Sequence, residues 1–294
     1  MDGILLIDKP ENITSNRLVQ KIRKHLKKIT GRDIKIGHTG TLDFFASGLM
    51  IITVGKGTKI TEYLQGLDKE YIATGELGKI TDTYDRQGKV IQEKPCNITQ
   101  QELEKIVLSF RKTYMQTPPP YSAKRIKGTR AYKLAKKGLE VPLKPKKVTI
   151  YQIQLLDFSP PEFTIRVFCS SGTYIRSIIK EIGDLAGCGA YTKKLRRTKI
   201  GSFSVDRATG LEEFLMMTES ETESILISVK DALYFMPEIV LDEGFDRRFT
   251  MGQRFKVPFQ EKGTVKVLDR KLNLLGIGKV KEEGVLQPVK VFAN

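Results

Sequence analysis

Five of the six residues from 49 to 54 are apolar, and the run is bracketed by Gly48 and Gly55. A stretch that short and that apolar reads as a buried strand, which commits the chain to a fold containing a sheet. Strand-like alternation returns at residues 70–77, and further strands are expected at 148–158 and 162–169. Amphipathic helices lie between them. Thr14-Ser15 offers an N-cap for a helix over about residues 16–28, whose apolar positions Leu18, Val19, Ile22 and Leu26 follow helical spacing. Thr99 and Glu102 form a capping box ahead of Leu103, Ile106, Val107 and Phe110. A third helix begins near Thr173, with Ile175, Ile178, Ile179 and Ile182 on its core face. Residues 237–294 carry short strands separated by glycine-containing turns, the pattern of a small β-barrel. A chain of 294 residues is long enough for a sizeable core, over residues 1–236, plus this small extra domain.

Charge is the strongest compositional signal. Lys and Arg number 50 against 34 Asp and Glu, a formal net charge of +16, which favours polyanionic partners. The excess is uneven: residues 121–149 hold ten bases and one acid, Glu140, whereas residues 205–246 hold eleven acids and two bases. The basic segment follows the break at Pro118-Pro119-Pro120 and reads as an exposed thumb, or a short helix in a long loop, over about residues 120–147. Arg17, Lys21, Lys24, Lys27 and Lys28 fall on the wet side of the first helix, a solvated face or a contact for RNA or a membrane surface. No apolar run approaches the roughly 20 residues of a membrane span, and the start lacks a signal pattern. The expectation is a cytoplasmic protein with no membrane partner.

Histidine is confined to His25 and His38, so His-based triads and zinc sites would have to be built on two residues. Cys96, Cys169 and Cys188 are scattered, which argues against both a structural zinc site and a disulfide framework. Chemistry is therefore expected from carboxylates, Tyr, Lys or Arg. Asp43 ends the Gly/Thr-rich loop Gly37-His38-Thr39-Gly40-Thr41-Leu42-Asp43; by position alone such an aspartate is an Asx turn or a cap. Gly55-Lys56-Gly57-Thr58 lacks the spacing of a phosphate loop.

Taken together, four segments resemble the TruB family of tRNA pseudouridine synthases. They are Lys9-Pro10 with Thr14-Ser15; the loop ending in Asp43, with Ala46-Ser47-Gly48 behind it; Glu70-Tyr71 leading to Thr81-Asp82-Thr83-Tyr84-Asp85-Arg86-Gln87-Gly88; and Gly172-Thr173-Tyr174-Ile175-Arg176 followed by Gly187-Cys188-Gly189-Ala190 and Leu195-Arg196-Arg197. All four stand in family order. The resemblance implies an α+β fold, with a mixed, mostly antiparallel central sheet flanked by helices and a C-terminal β-barrel like a PUA domain. It implies isomerisation of uridine-55 in the T loop of tRNA, free of a guide, without metal or organic cofactor, with tRNA as partner and no obligatory protein partner. The acceptor stem is a further contact for the C-terminal domain.

The resemblance also assigns roles. Asp43 corresponds to the nucleophile, Arg176 to the arginine paired with it, and Tyr71 to the ring that stacks on the target base. Leu195 is the apolar wall, Tyr174 supports the pocket, and Lys9 shapes the site. His38 fills the space of the extruded uridine, contacts loop phosphates, or is structural; Asp85 orders the site or makes a turn. Lys124, Arg125 and Arg130 of the thumb, with Arg196 and Arg197, are positioned to grip phosphates. The chain departs from the family where Asp43-Phe44-Phe45-Ala46 replaces Asp-Pro-Leu-Ala and where Asn12 replaces a frequent glycine, which bears on loop geometry.

Overall fold

The structure, a computed structural model, describes residues 1–119, 144–258 and 262–292, together with the backbone of 125–126 and 129–130. The first half supplies β1 (Gly3–Lys9), α1 (Ser15–Thr30), β2 (Ile36–His38), β3 (Ser47–Val54), β4 (Lys69–Leu77), β5 (Lys79–Thr81), β6 (Val90–Glu93), α2 (Gln100–Leu108) and β7 (Thr113–Gln116). Then come the short pair β8 (Arg125–Ile126) and β9 (Thr129–Arg130), followed by β10 (Lys146–Ser159), β11 (Glu162–Cys169), α3 (Ile175–Leu185) and β12 (Ala190–Ile200). Lys124, like most of the thumb, lies outside the described residues, as do the side chains of Arg125 and Arg130.

The central sheet runs Thr209–Gly210, β1, β3, β12, β4, β11, β10, β7. Neighbours are antiparallel except where Thr209–Gly210 meets β1 and where β3 meets β12. This is the mixed, mostly antiparallel arrangement that the resemblance implies.

The apolar run in β3 has a direct cause. Side chains alternate across a strand, and here both faces are covered: Met50 and Ile52 join Leu5, Ile7 and the inner faces of α1 and α3 in one core. Leu49 and Ile51 join Ile4 and Leu6 in a second. The C-terminal strands Glu238–Val240, Gly263–Leu268, Leu274–Val280, Val285–Val291 and Phe255–Lys256 form a separate sheet in that order, which contributes Ile277 and Phe292 to the second core.

Local signals place the helices. Thr14 caps α1 by accepting from the Arg17 amide, and Gly31 ends it at φ 70°, a left-handed turn that costs glycine little. The capping box at Thr99 and Glu102 opens α2. The charge blocks answer each other in part: Lys21 of α1 pairs with Glu212 and Arg32 with Glu219, so the acidic segment lies against the basic helix.

One expectation is corrected. Cys96 and Cys188 form a disulfide, 92 residues apart in sequence with Cα atoms 5.4 Å apart, and Cys169 is the buried free thiol. Spacing along the chain gave no sign of it, because folding alone brings the approach to α2 against the end of α3.

Candidate active site

The loop that carries Asp43 is fastened from three directions. The Ser15 hydroxyl, at the first turn of α1, donates to the Leu42 carbonyl and accepts from the Leu42 amide, both at 2.9 Å. Lys9, fully buried, donates through Nζ to the carbonyls of Pro10, Phe44 and Ala46; burial pulls its pKa down to about 8, while Asp43 and Glu11 draw it up. Asn12 stands at φ 61° and donates its amide to the Phe44 carbonyl, so the position favoured by glycine is filled by the side chain that best tolerates a left-handed backbone. Phe44, at the proline's position, is exposed, and Phe45 behind it is fully buried.

Arg176, in the first turn of α3, is 4% exposed and holds two carboxylates. Its Nε and Nη2 bind Asp43 at 2.8 and 3.2 Å, and its Nη1 binds Asp85 at 3.0 Å and the Thr83 carbonyl at 2.8 Å. Asp85 also accepts from the Thr83 hydroxyl and the Gln87 amide. Burial pushes the Asp85 carboxyl up, against the pull of Arg176. The Asp43 side chain keeps 37% exposure against 7% for Asp85. One guanidinium thus serves two acids, and the acid that keeps access to solvent is Asp43.

Asp43 borders a cavity of about 400 Å³ whose wall includes Thr39, Lys69, Tyr71, Tyr174, Leu195 and Arg197. Tyr71 in β4 is 8% exposed and stands opposite Arg197 of β12 in the strand register. Burial raises the Tyr71 phenol, and Arg197 partly reverses this. Leu195 lies two positions before Arg197, hence on the same face. Tyr174 at the start of α3 has no side-chain cap; instead the Gln116 side chain accepts from its amide at 2.8 Å and donates to its carbonyl at 3.1 Å.

His38 and Arg196 are not in the cavity wall. The His38 ring accepts from the Gly40 amide at 3.3 Å, and burial lowers its pKa. Arg196 points to the other face of β12, where Asp8 takes both Nη atoms at 2.7 and 3.1 Å. Arg197 is only 2% exposed, donating to Leu49 and Gly40 carbonyls. Gln116 and Lys69 had no sequence signal beyond their neighbours, since a Gln in a short strand and a Lys before Glu70-Tyr71 look like surface residues.

The sequence profile of the TruB family pseudouridylate synthase N-terminal domain matches residues 24–175. The chain belongs to the TruB family. Two further profiles of the family follow in order: the tRNA pseudouridylate synthase B C-terminal domain at 176–235 and a second TruB C-terminal unit at 237–292. The tRNA pseudouridine synthase B of Aquifex aeolicus is 40% identical over 99% of this chain and 100% of its own. That of Azoarcus is 37% identical over 100% and 96%. Among solved structures, an H/ACA ribonucleoprotein bound to a substrate RNA containing 2′-deoxyuridine superposes with a TM-score of 0.76 over 99% of this chain and 85% of that one, at 22% identity, a likeness of fold. No described helix is long and apolar enough to cross a membrane.

Proposed function

We propose that this TruB-family tRNA pseudouridine synthase isomerises uridine-55 of the T loop, with Asp43 as nucleophile, Arg176 as its counter-ion and Tyr71 as the stacking face for the flipped base. One observation carries the reading: the two-point ion pair between Arg176 and Asp43 at the rim of a cavity closed by Tyr71 and Leu195. A base must leave its stack to reach such a cavity, and stacking on an aromatic face offsets an unstacking cost of a few kcal/mol. Arg176 holds the Asp43 side chain through charge and two hydrogen bonds together. Because Asp85 shares that arginine, the guanidinium is divided between two carboxylates, and Asp43 is the one that keeps access to solvent. Lys9 and His38 hold the loop, and Asp85 orients Arg176.

The T arm, recognition without a guide RNA or protein partner, and contact of the acceptor stem with the C-terminal sheet belong to the same proposal. The net charge of +16 supports a polyanionic partner. The test is the purified chain on bare tRNA. Wild type makes pseudouridine at one T-loop position; Asp43→Asn makes none while its tRNA Kd changes by less than about threefold. Product from Asp43→Asn, or wild type that needs a guide, refutes the reading.

A further inference from the structure

The cavity that Asp43 and Arg176 border is also lined by two buried cations, Lys69 and Arg197, with no ion-pair partner among the described residues. Arg197 donates Nε to the Leu49 carbonyl at 2.7 Å and Nη2 to the Gly40 carbonyl at 3.2 Å. Lys69, 6% exposed, donates Nζ to the Gln65 carbonyl at 2.8 Å and the Leu67 carbonyl at 2.5 Å, which leaves one of an ammonium's three donors over. Among the described residues neither cation has a carboxylate within 4.0 Å. Carbonyl dipoles hold such charges in place without cancelling them, and burying an unpaired ion costs several kcal/mol. Both residues line the cavity, as does Thr39, whose buried hydroxyl has no partner among the described residues. Native structures seldom leave such an atom idle.

The isomerisation supplies an anion for this wall. When the N1–C1′ bond breaks heterolytically, its electron pair stays on the ring, and the charge spreads over N1, O2 and O4. The ring turns, C5 displaces the Asp43 carboxylate that took up C1′ when N1 left, C5 gives up its proton, and N1 gains one, so atoms and charge balance. We propose that Lys69 and Arg197 stabilise the negative charge on the uracil ring while it is detached, with the Thr39 hydroxyl as a further donor. The proposal rests on the assignment of Asp43 above. Preorganised charge in a water-poor site acts on developing charge far more strongly than charge in water.

Single-turnover conversion with enzyme in excess tests it, for wild type, Lys69→Gln, Lys69→Arg and Arg197→Met. Lys69→Gln and Arg197→Met are expected to slow conversion on the order of 10²-fold, with tRNA Kd unchanged, and Lys69→Arg is expected to restore most of the rate. Transcripts carrying 5-fluorouridine, whose ring accepts negative charge more readily, are read as loss of the intact nucleoside. With them the Lys69→Gln deficit shrinks several-fold, whereas a packing role slows both substrates equally. If the neutral variants do not fold, the wild-type pH profile against that of Lys69→Arg remains. Burial pulls Lys69 down to about 8, with Arg197 and Lys146 adding to the shift and Cys169 and Asp68 opposing it; the Tyr71 phenol also borders the cavity. Wild-type rate therefore falls more steeply above pH 8 than that of Lys69→Arg, the fall common to both belonging to Lys9, which burial also pulls down to about 8. Wild-type rates in Lys69→Gln and Arg197→Met, equal deficits on both substrates, or identical pH profiles overturn the proposal. An active Asp43→Asn overturns the nucleophile assignment instead.

Discussion

Gln116→Leu is the perturbation that best separates positioning from chemistry, because Gln116 is not itself in the cavity wall yet holds the start of α3. Its side chain fills the part of a neighbouring strand for Tyr174, bonding both amide and carbonyl, and it also donates to the Tyr114 hydroxyl at 3.0 Å. Leucine matches the volume and removes all three contacts. The Tyr174 amide at this part-buried helix start then loses the Gln116 oxygen, while the carbonyl keeps the Ile178 amide; at about 1–3 kcal/mol for one orphaned group, the expected loss of stability is about 1–3 kcal/mol. At about 2–4 °C per kcal/mol for a chain of this class, the melting temperature falls by about 2–12 °C. Arg176 sits two residues beyond Tyr174, and its fork tolerates little displacement, since a shift near 1 Å at a catalytic centre can cost about 10²-fold. Release of tritium from C5-labelled uridine in tRNA, measured well below the melting point, is expected to show a 10–100-fold fall in kcat with KM nearly unchanged. A variant that melts with wild type, or one that loses stability but turns over at the wild-type rate, refutes the claim that this amide sets the arginine.

Arg176→Lys keeps the charge but cannot serve Asp43 at two points and Asp85 at the same time; pseudouridine formation is expected to fall at least about 10²-fold, read in the same tritium assay. Gly48→Ala sets a methyl 2.3 Å from the Arg197 carbonyl and 2.6 Å from its amide, at φ 110°, so β3 and β12 must separate; expression of soluble protein, or a melting temperature lowered by about 10 °C or more, checks this. Cys96→Ser opens the crosslink to Cys188 across 92 residues and is expected to cost about 2–4 kcal/mol, seen as a lower denaturant midpoint that matches the wild type after reduction.

Much of the architecture is written locally. Thr14, Gly31, Thr99 and Glu102 mark helix ends by hydrogen bonds within a few residues, and the double-faced burial of β3 shows in its unbroken apolar run. Asp43, Arg176 and Tyr71 were legible because their segments have a fixed family order. The basic run at 193–197 was legible in charge but not in direction. Once those residues are a strand, the period of two sends Arg196 and Arg197 to opposite faces, one to Asp8 and one into the wall of the cavity. Lys193, in the same run, is taken by Glu76 and Glu162. Gln116, Lys69 and the Cys96–Cys188 bridge were illegible for a different reason. Gln116 and the cysteines find their partners 58 and 92 residues away; Lys69 bonds only to nearby Gln65 and Leu67, and it is the cavity it lines, shared with Asp43, Arg176 and Arg197, that no short window contains.

Phe292 and Ile277 reach out of the C-terminal sheet to lie with Ile4, Leu6, Leu49 and Ile51 beneath β1 and β3. The two sheets therefore share a seam of oil rather than a tether. Severing the chain after Met236 would wet the underside of the very strand whose head bears Ser47 and Gly48, four and five residues past the nucleophile. On heating, the two bodies are bound to come apart in one cooperative step.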